Sequence, residues 1–554
     1  MDKKDGIAEM EKLFNFRPVF FCAIFLALGV LFYFAHYFYA LPVFWVLALF
    51  ILSFIPVLFY KRKGAGMRAM GVIALLNVFF FLGFFGLFSQ LEGFSSAEEK
   101  VGDHHVRGYV VAIEKTSYGA SMLLDSLSFD GERVDGKLIA YLSSSFLEEV
   151  SLCDEVFLEG EVESTSLEVE EISYTAKKIR ENVRFTMQAE EVLVTGAKFD
   201  LLLFLRMRVE ETIEAGMDET PASVMKALIF GDTSDLDGEL YENVRRGGLA
   251  HIFAVSGLHV GALFAFCLWV LEKTALRDVK KIMKFFSLFA LLFLYAGLCG
   301  FSASVMRAMV VCLVTYAFSL ILLKVDFLEA IGLSAIIILI LSPSALFEVG
   351  FQLSFLACLG ITFLSKPIGH VFVELQNLYR KVFPRKLTDS QKKMLEQGDT
   401  LPPSIGERIY RSITSVCTMS LSAQIFTAPL QLLYFGYVSG WGLILNGIFV
   451  PFVSAIFAFL LLLVVLASIC PVGLASMFLF LPNVVWSAVL LFFQMFDFSS
   501  FALSNLQLSV FGVVIYYAGC LFFTDKWNVK NSFSRVLAIL CFLAFGISMV
   551  LMNI

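Results

Sequence analysis

The run 247–264, GGLAHIFAVSGLHVGALF, sets His251, Ser256 and His259 in a stretch otherwise suited to lipid. These side-chain types can do chemistry. A serine near a histidine can form a hydroxyl–imidazole pair in which the ring acts as base, and an intramembrane serine protease built on Ser256 with His259 or His251 is one reading of the spacing. An ionisable group at membrane depth is costly, and it usually faces a protein interior or a water-filled cavity. A second reading is therefore a polar passage. The structural alternative is packing, because Gly257 and Gly261 form a small-xxx-small face and Ser256–Gly257 loosens a helix locally.

Other chemistries fail on spacing. Ala254 stands where a GxSxG nucleophile elbow needs its first glycine. There is no HExxH, no cluster among the six histidines, and no GxxxxGK[ST] loop, so neither a metal hydrolase nor an internal ATP motor is expected. Residues 232–238, DTSDLDG, resemble a calcium loop, but the register that puts Gly238 sixth begins at Thr233 and ends at Val244, which lacks both end ligands. Asp232, Asp235 and Asp237 are expected as turn and cap residues.

The elements that must position the polar groups are membrane helices. The 554 residues are 58% hydrophobic and 16% charged, with 61 phenylalanines, a composition that excludes a soluble enzyme. About thirteen spans are expected, near 19–38, 42–60, 69–91, 249–271, 283–299, 304–323, 327–342, 346–365, 412–434, 441–469, 471–497, 508–524 and 535–553. No cleavable signal peptide is expected. Lys and Arg gather in alternate loops, with nine in 366–411, whereas 37–41, 300–303, 342–345, 435–440 and 498–507 contain none. The positive-inside rule then puts the N-terminus in the cytoplasm and the C-terminus outside. In that frame Arg307, Glu348, Gln352, Gln424 and Asn446 fall at the depth of His251, Ser256 and His259, in the outer half of the membrane. Glu348 and Gln352 share a face at i, i+4, and Arg307 is expected to pair with Glu348. Convergence from five helices suggests an outward-facing polar vestibule.

The polar segment 101–198 alternates like strands at VRGYVVAI, SMLLDSLSF and KLIAYL, with turn residues at Tyr118-Gly119, Asp130-Gly131 and Asp135-Gly136. A helix at SSFLEEVSL, a strand at DEVFLEGEVES and a last strand near 183–194 complete an OB-like order. With 19 Asp/Glu against 9 Lys/Arg, this small barrel is a poor nucleic-acid binder unless Lys177, Lys178, Arg180 and Arg184 group on one side. Residues 199–216 read as an interfacial amphipathic helix, and Thr220-Pro221 as the start of the next. The organisation expected is three helices in 1–98, the OB-like insert 101–198, interfacial helices in 199–248, a helical channel domain 249–524 with cytoplasmic loop 366–411, and a terminal helix in 525–554.

Beside this reading stands a resemblance. GDTSDLDGELYENVRRGGLAHIFAVSGLHVG closely resembles the signature of the ComEC family of competence proteins, and further stretches follow in the family's order. These are SASVMRAMV, LSPSALFEVGFQLSFLACLGI and AQIFTAPLQLLYFGYVSGWGLILNGIFVPF. The resemblance implies a cell-membrane channel, not an enzyme, that moves single-stranded DNA into the cytoplasm during natural transformation. It implies no cofactor or metal. The residues expected to line or shape the path are His251, Ser256, Gly257, His259, Arg307, Glu348, Gln352, Gln424 and Asn446, with Arg245 and Arg246 meeting phosphates at the outer mouth. Expected partners are the DNA strand, membrane lipid, an outer-face DNA receptor and a helicase-like cytoplasmic ATPase. The HxHxDH motif of the family's lactamase-like domain is absent from this sequence, so any nuclease is expected on a separate chain. A small-solute transporter is the remaining alternative.

Overall fold

The computed structural model describes residues 17–42, 44, 63–116, 119–142, 150–168, 171–189, 191–253, 255–321, 326–382, 405–498, 502–504, 508–524 and 536–546. The span expected at 42–60 and the helix expected at SSFLEEVSL lie mainly outside them. Among the described residues eight helices are long and apolar enough to cross a membrane. They are α1 (Pro18–Tyr39), α2 (Lys63–Ser95), α9 (Lys281–Leu298), α10 (Ala303–Leu320), α12 (Val349–Val382), α13 (Ile405–Phe435), α14 (Gly442–Ile469) and α15 (Val472–Met495). Three shorter apolar helices occupy further expected spans: α11 (Phe327–Leu341), α16 (Val510–Phe523) and α17 (Val536–Gly546). The chain is thus a polytopic helical membrane protein with a small β barrel inserted after α2.

Lipid demands that every backbone polar group be satisfied within the segment, which is why long apolar runs become helices. Where two such helices touch, small residues let backbones approach. A Cβ at Gly29 of α1 would sit 1.9 Å from Phe80 O of α2, so this pair packs backbone to backbone. Arg17, just before α1, donates to Asp326 at 2.7 Å and so ties α1 to the start of α11.

The barrel is built from β1 (Gly102–Thr116), β2 (Gly119–Phe129), β3 (Glu132–Arg133), β4 (Lys137–Leu142), β5 (Asp154–Ser164), β6 (Val183–Gln188) and β7 (Glu191–Ala197). Strands β1-β2-β4-β6-β5 close into a ring through the β1–β5 pairing. All contacts in the ring are antiparallel except β4 with β6, which run parallel. That order with one parallel closure is OB-like. Asp130 and Gly131 both take positive φ at the β2–β3 turn, as the Asp-Gly signal predicts. Inward residues such as Val106, Leu124, Leu138, Leu158 and Phe185 form the barrel core.

Two features differ from the expected order: the last strand expected near 183–194 is two strands, β6 and β7, and a helix stands where none was expected. Residues read as a connection form a helix, α3 (Ile172–Glu181), between β5 and β6. Its buried Ala176 and Ile179 join the hydrophobic cluster of α1, α2 and α11 instead of the barrel core. Burying one Ile stabilises by roughly 1.5–3 kcal/mol, so α3 docks the barrel onto the membrane helices. The four basic residues singled out in the barrel do group around α3, yet Arg180 reaches Glu348 at 3.0 Å and the Arg184 guanidinium packs on Gly93 of α2.

The segment after the barrel forms α4 (Leu201–Gly216), α5 (Glu219–Phe230) and α6 (Gly238–Arg246). Helix α5 begins two residues before Pro221, with Asp218 rather than Thr220 at its N-cap. Asp232 pairs with Arg206 and holds Ser234, Asp235 pairs with Lys226, and Asp237 caps α6 at Leu240 N. These aspartates are turn and cap residues, as their spacing implied. Helix α12 reaches Val382 and α13 begins at Ile405, so the parts 366–382 and 405–411 of the loop expected at 366–411 extend these helices. Charged residues do not end a helix once it leaves lipid.

Candidate functional site

The expected span 249–271 is broken. A single turn, α7 (Ala250–Phe253), is followed by Val255 and Ser256 outside any helix, and α8 (Gly257–Lys273) starts two residues past Val255. Ser256 takes the extended N-cap conformation (φ −108°, ψ 162°). His259, at the third helical position, accepts a hydrogen bond from Ser256 N through Nδ1 at 3.2 Å. The imidazole thus satisfies one of the donors that a helix start leaves open, and its proton resides on Nε2. The ring is fully buried and lies 4.5 Å from the Phe457 ring of α14.

This geometry separates the hydroxyl from the base. His259 Nδ1 is occupied by backbone, and neither Ser256 Oγ nor His259 Nε2 has a hydrogen-bond partner among the described residues. No Ser–His dyad is assembled here. His251, on α7, is exposed although Ile252 and Phe253 beside it are buried. Of the two histidines it alone is exposed, and its ring donates a hydrogen bond to the Gly248 backbone carbonyl.

Arg307 approaches the break from α10. Its Nη1 donates to Ser354 O of α12 at 2.6 Å and to Cys358 Sγ, and its guanidinium lies 5.8 Å from the Phe355 ring. Its Nη2 points at Gly257, where a Cβ would stand 2.6 Å away. The expected Arg307–Glu348 pair is not formed. Glu348 lies 3.0 Å from Arg180 of the barrel, in a geometry too bent for a hydrogen bond, so the attraction is coulombic. Equal depth had suggested the pairing, but depth does not fix the direction a side chain leaves its helix. Burial pushes the Glu348 carboxyl above the usual range, against the pull of Arg180.

The other expected residues form two knots around the break. Gln352 donates to Leu346 O at 3.0 Å and accepts from Tyr434 OH at 3.0 Å, which links α12 to α13. Gln424 donates to Ser439 O at 2.7 Å, and Ser439 Oγ in turn accepts from Gly442 N. Gly248 takes positive φ and sits so close to Gly442 that an added Cβ would come within 2.8 Å of it. Asn446, one turn further along α14, keeps a buried Oδ1 with no partner among the described residues. On α6, Arg245 and Arg246 both pair with the single Glu242, at 3.0 and 3.2 Å, and Arg245 also covers the Tyr437 ring.

The break, with Ser256, Gly257 and His259, and the Gly248–Gly442 contact lie within the stretch that a family model describes as Competence protein, which matches residues 228–530, more than half of the chain. The chain belongs to the competence protein (ComEC) family. ComE operon protein 3 of Bacillus subtilis (strain 168) is 32% identical over 179 residues, 32% of this chain and 22% of that protein. The MG316 homolog of Mycoplasma pneumoniae, an uncharacterized protein, is 29% identical over 143 residues, 26% of this chain and 35% of that one. MG316 of Mycoplasma genitalium matches similarly, at 29% over 142 residues and 35% of its length. The matches therefore span about a fifth to a third of these relatives. No solved structure matches the chain. In this competence protein, sequence reasoning missed Tyr434, Ser439 and Gly248, whose roles arise only from contacts between helices far apart in the chain. The paired glycines 247–248 were the one visible hint.

Proposed function

We propose that this competence protein is the multi-pass channel that carries single-stranded DNA across the cell membrane into the cytoplasm. Family membership supports a role in DNA uptake. The observation that carries the channel reading is the set of buried polar atoms left unpaired among the described residues around the break: Ser256 Oγ at the N-cap of α8, Arg307 Nε on α10 and Asn446 Oδ1 on α14. Buried polar groups are nearly always satisfied, and three unsatisfied ones on three apolar helices mark a seam meant for water or a polar ligand. In the orientation set by the basic loops, the seam opens outward beneath the barrel, with Arg245 and Arg246 meeting phosphates at its mouth. His251 lines the path, while the buried His259 shapes it. An outer-face receptor would deliver the strand, and a helicase-like ATPase docked on the basic cytoplasmic side, or the proton gradient, would drive it. Deleting the gene and scoring entry of labelled DNA into the cytoplasm tests this. Undiminished entry would refute it. Loss of a membrane-protein cleavage product in Ser256→Ala, with DNA entry intact, would favour the serine-protease reading instead.

A further inference from the structure

The free edge of Arg307 is the most specific feature at the seam. A guanidinium has one side-on edge, made by Nε–H and one Nη–H, that matches two oxygens of a phosphate or carboxylate. In Arg307 the outer nitrogen Nη1 is fixed by Ser354 O and Cys358 Sγ, while Nε has no partner among the described residues. Nη2, on the same edge, points at Gly257, the first residue of the 17-residue helix α8. The residue is 8% exposed, and among the described residues no carboxylate pairs with it. A buried guanidinium without a counter-charge is expensive, and this one faces the positive end of a helix, where open N–H groups favour an anion. Ser256 Oγ, also buried and with no hydrogen-bond partner among the described residues, stands at the N-cap of the same helix in a capping-box position.

We propose that Arg307 and the α8 N-terminus form an oxyanion subsite that takes one phosphodiester group at a time, held by the Nε/Nη2 edge and by Ser256 Oγ. This rests on the DNA-channel reading for the source of the phosphate, but not for the existence of the site. Gly257 is part of it, because a Cβ there would stand 2.6 Å from Arg307 Nη2 and push the guanidinium away from the helix start. The subsite would let successive phosphates of a strand be handed past a fixed point without reading any base.

The test uses the full-length chain purified in detergent. Its thermal unfolding is followed with inorganic phosphate, with a short oligothymidylate, and with the uncharged methylphosphonate analogue of that oligonucleotide, at constant ionic strength. Phosphate and oligothymidylate should raise the wild-type midpoint by several degrees and the methylphosphonate should not. Arg307→Gln should lose the rise, and Arg307→Lys, which keeps the charge but not the edge, should retain a minor part of it. Gly257→Ala provides a route that leaves the charge unchanged and should also lose it. No rise in the wild type, or an equal rise in wild type and in both Arg307→Gln and Gly257→Ala, would overturn the subsite. If deletion of the gene leaves DNA entry intact while phosphate still stabilises only the wild type, the subsite stands and the channel reading falls.

Discussion

Replacing either partner of the Arg180–Glu348 contact should have unequal effects, and the inequality can be worked from the junction. Removing one member of a buried pair costs about 3–5 kcal/mol when the charge left behind has no other partner. Here the side chains are 19% and 13% exposed, the contact is bent, and Lys177 adds attraction to Glu348. Arg180→Ala should therefore cost roughly 1.5–3 kcal/mol, the lower part of that scale with a discount for partial exposure. Glu348→Gln removes the carboxylate whose burial is itself unfavourable, and Arg180 keeps Glu181 at 3.1 Å, so the loss should be about 0–1 kcal/mol. The Val349 amide reports the junction, since it donates to Ser173 Oγ of α3 at 3.0 Å. Its hydrogen exchange should accelerate about tenfold or more in Arg180→Ala and only a few-fold in Glu348→Gln, at about 1.4 kcal/mol per decade. The carboxyl has a raised pKa in the folded protein, so it contributes stability below its ordinary range and loses it as pH rises through the raised value. Without Arg180 the raise grows, so acidification towards pH 5 should slow exchange in Arg180→Ala more than in the wild type. Equal acceleration in the two variants, or no pH difference between Arg180→Ala and wild type, would refute desolvation as the controlling effect.

Other outcomes are open to direct measurement. Ser256→Ala should leave folding within about 1 kcal/mol of wild type, since its Oγ faces the His259 amide in a capping-box arrangement but makes no hydrogen bond among the described residues, and DNA entry should fall less than in Gly257→Leu; complete loss only in Ser256→Ala would argue for a nucleophile. His259→Leu keeps packing on Phe457 but loses the bond to Ser256 N, and should cost about 1 kcal/mol of stability while stopping DNA entry, as thermal unfolding and uptake assays would show. Cysteines near 130 and 500 should label in intact cells and one near 390 only after permeabilisation; the reverse pattern would invert the orientation.

What could be read from the sequence followed from how strongly each environment constrains residue type. Lipid requires about 20 apolar residues in a row, so the runs that became α9, α10 and α14 were plain. The barrel strands showed through inside–outside alternation, as in KLIAYL. Helix α3 was missed although Ile172, Ala176 and Ile179 recur at helical spacing, because its apolar face serves another domain rather than its own barrel. The polar residues around 247–259 were identified, but the break, which followed from no composition rule, was read only as a loosening. Rotation about each helix was not legible, and so Arg307 was paired with Glu348 when the latter belongs to Arg180.

The length of α2 has a consequence for how the barrel works with the helices. Its 33 residues make a rod of about 50 Å, against a hydrocarbon core of about 30 Å. The surplus is shared between its two ends: Lys63–Arg68 lies on the side of the basic loop, and Glu92–Ser95 is a short mast that runs into β1 within a few residues, while α3 braces the barrel from a second side. A domain on a flexible tether samples a large volume, and the local concentration of whatever it holds falls as the tether lengthens. A domain on a braced mast keeps its cargo at one height and one bearing. Any partner bound at the barrel is thus held at a fixed stagger from the helices, with no diffusive search between the two.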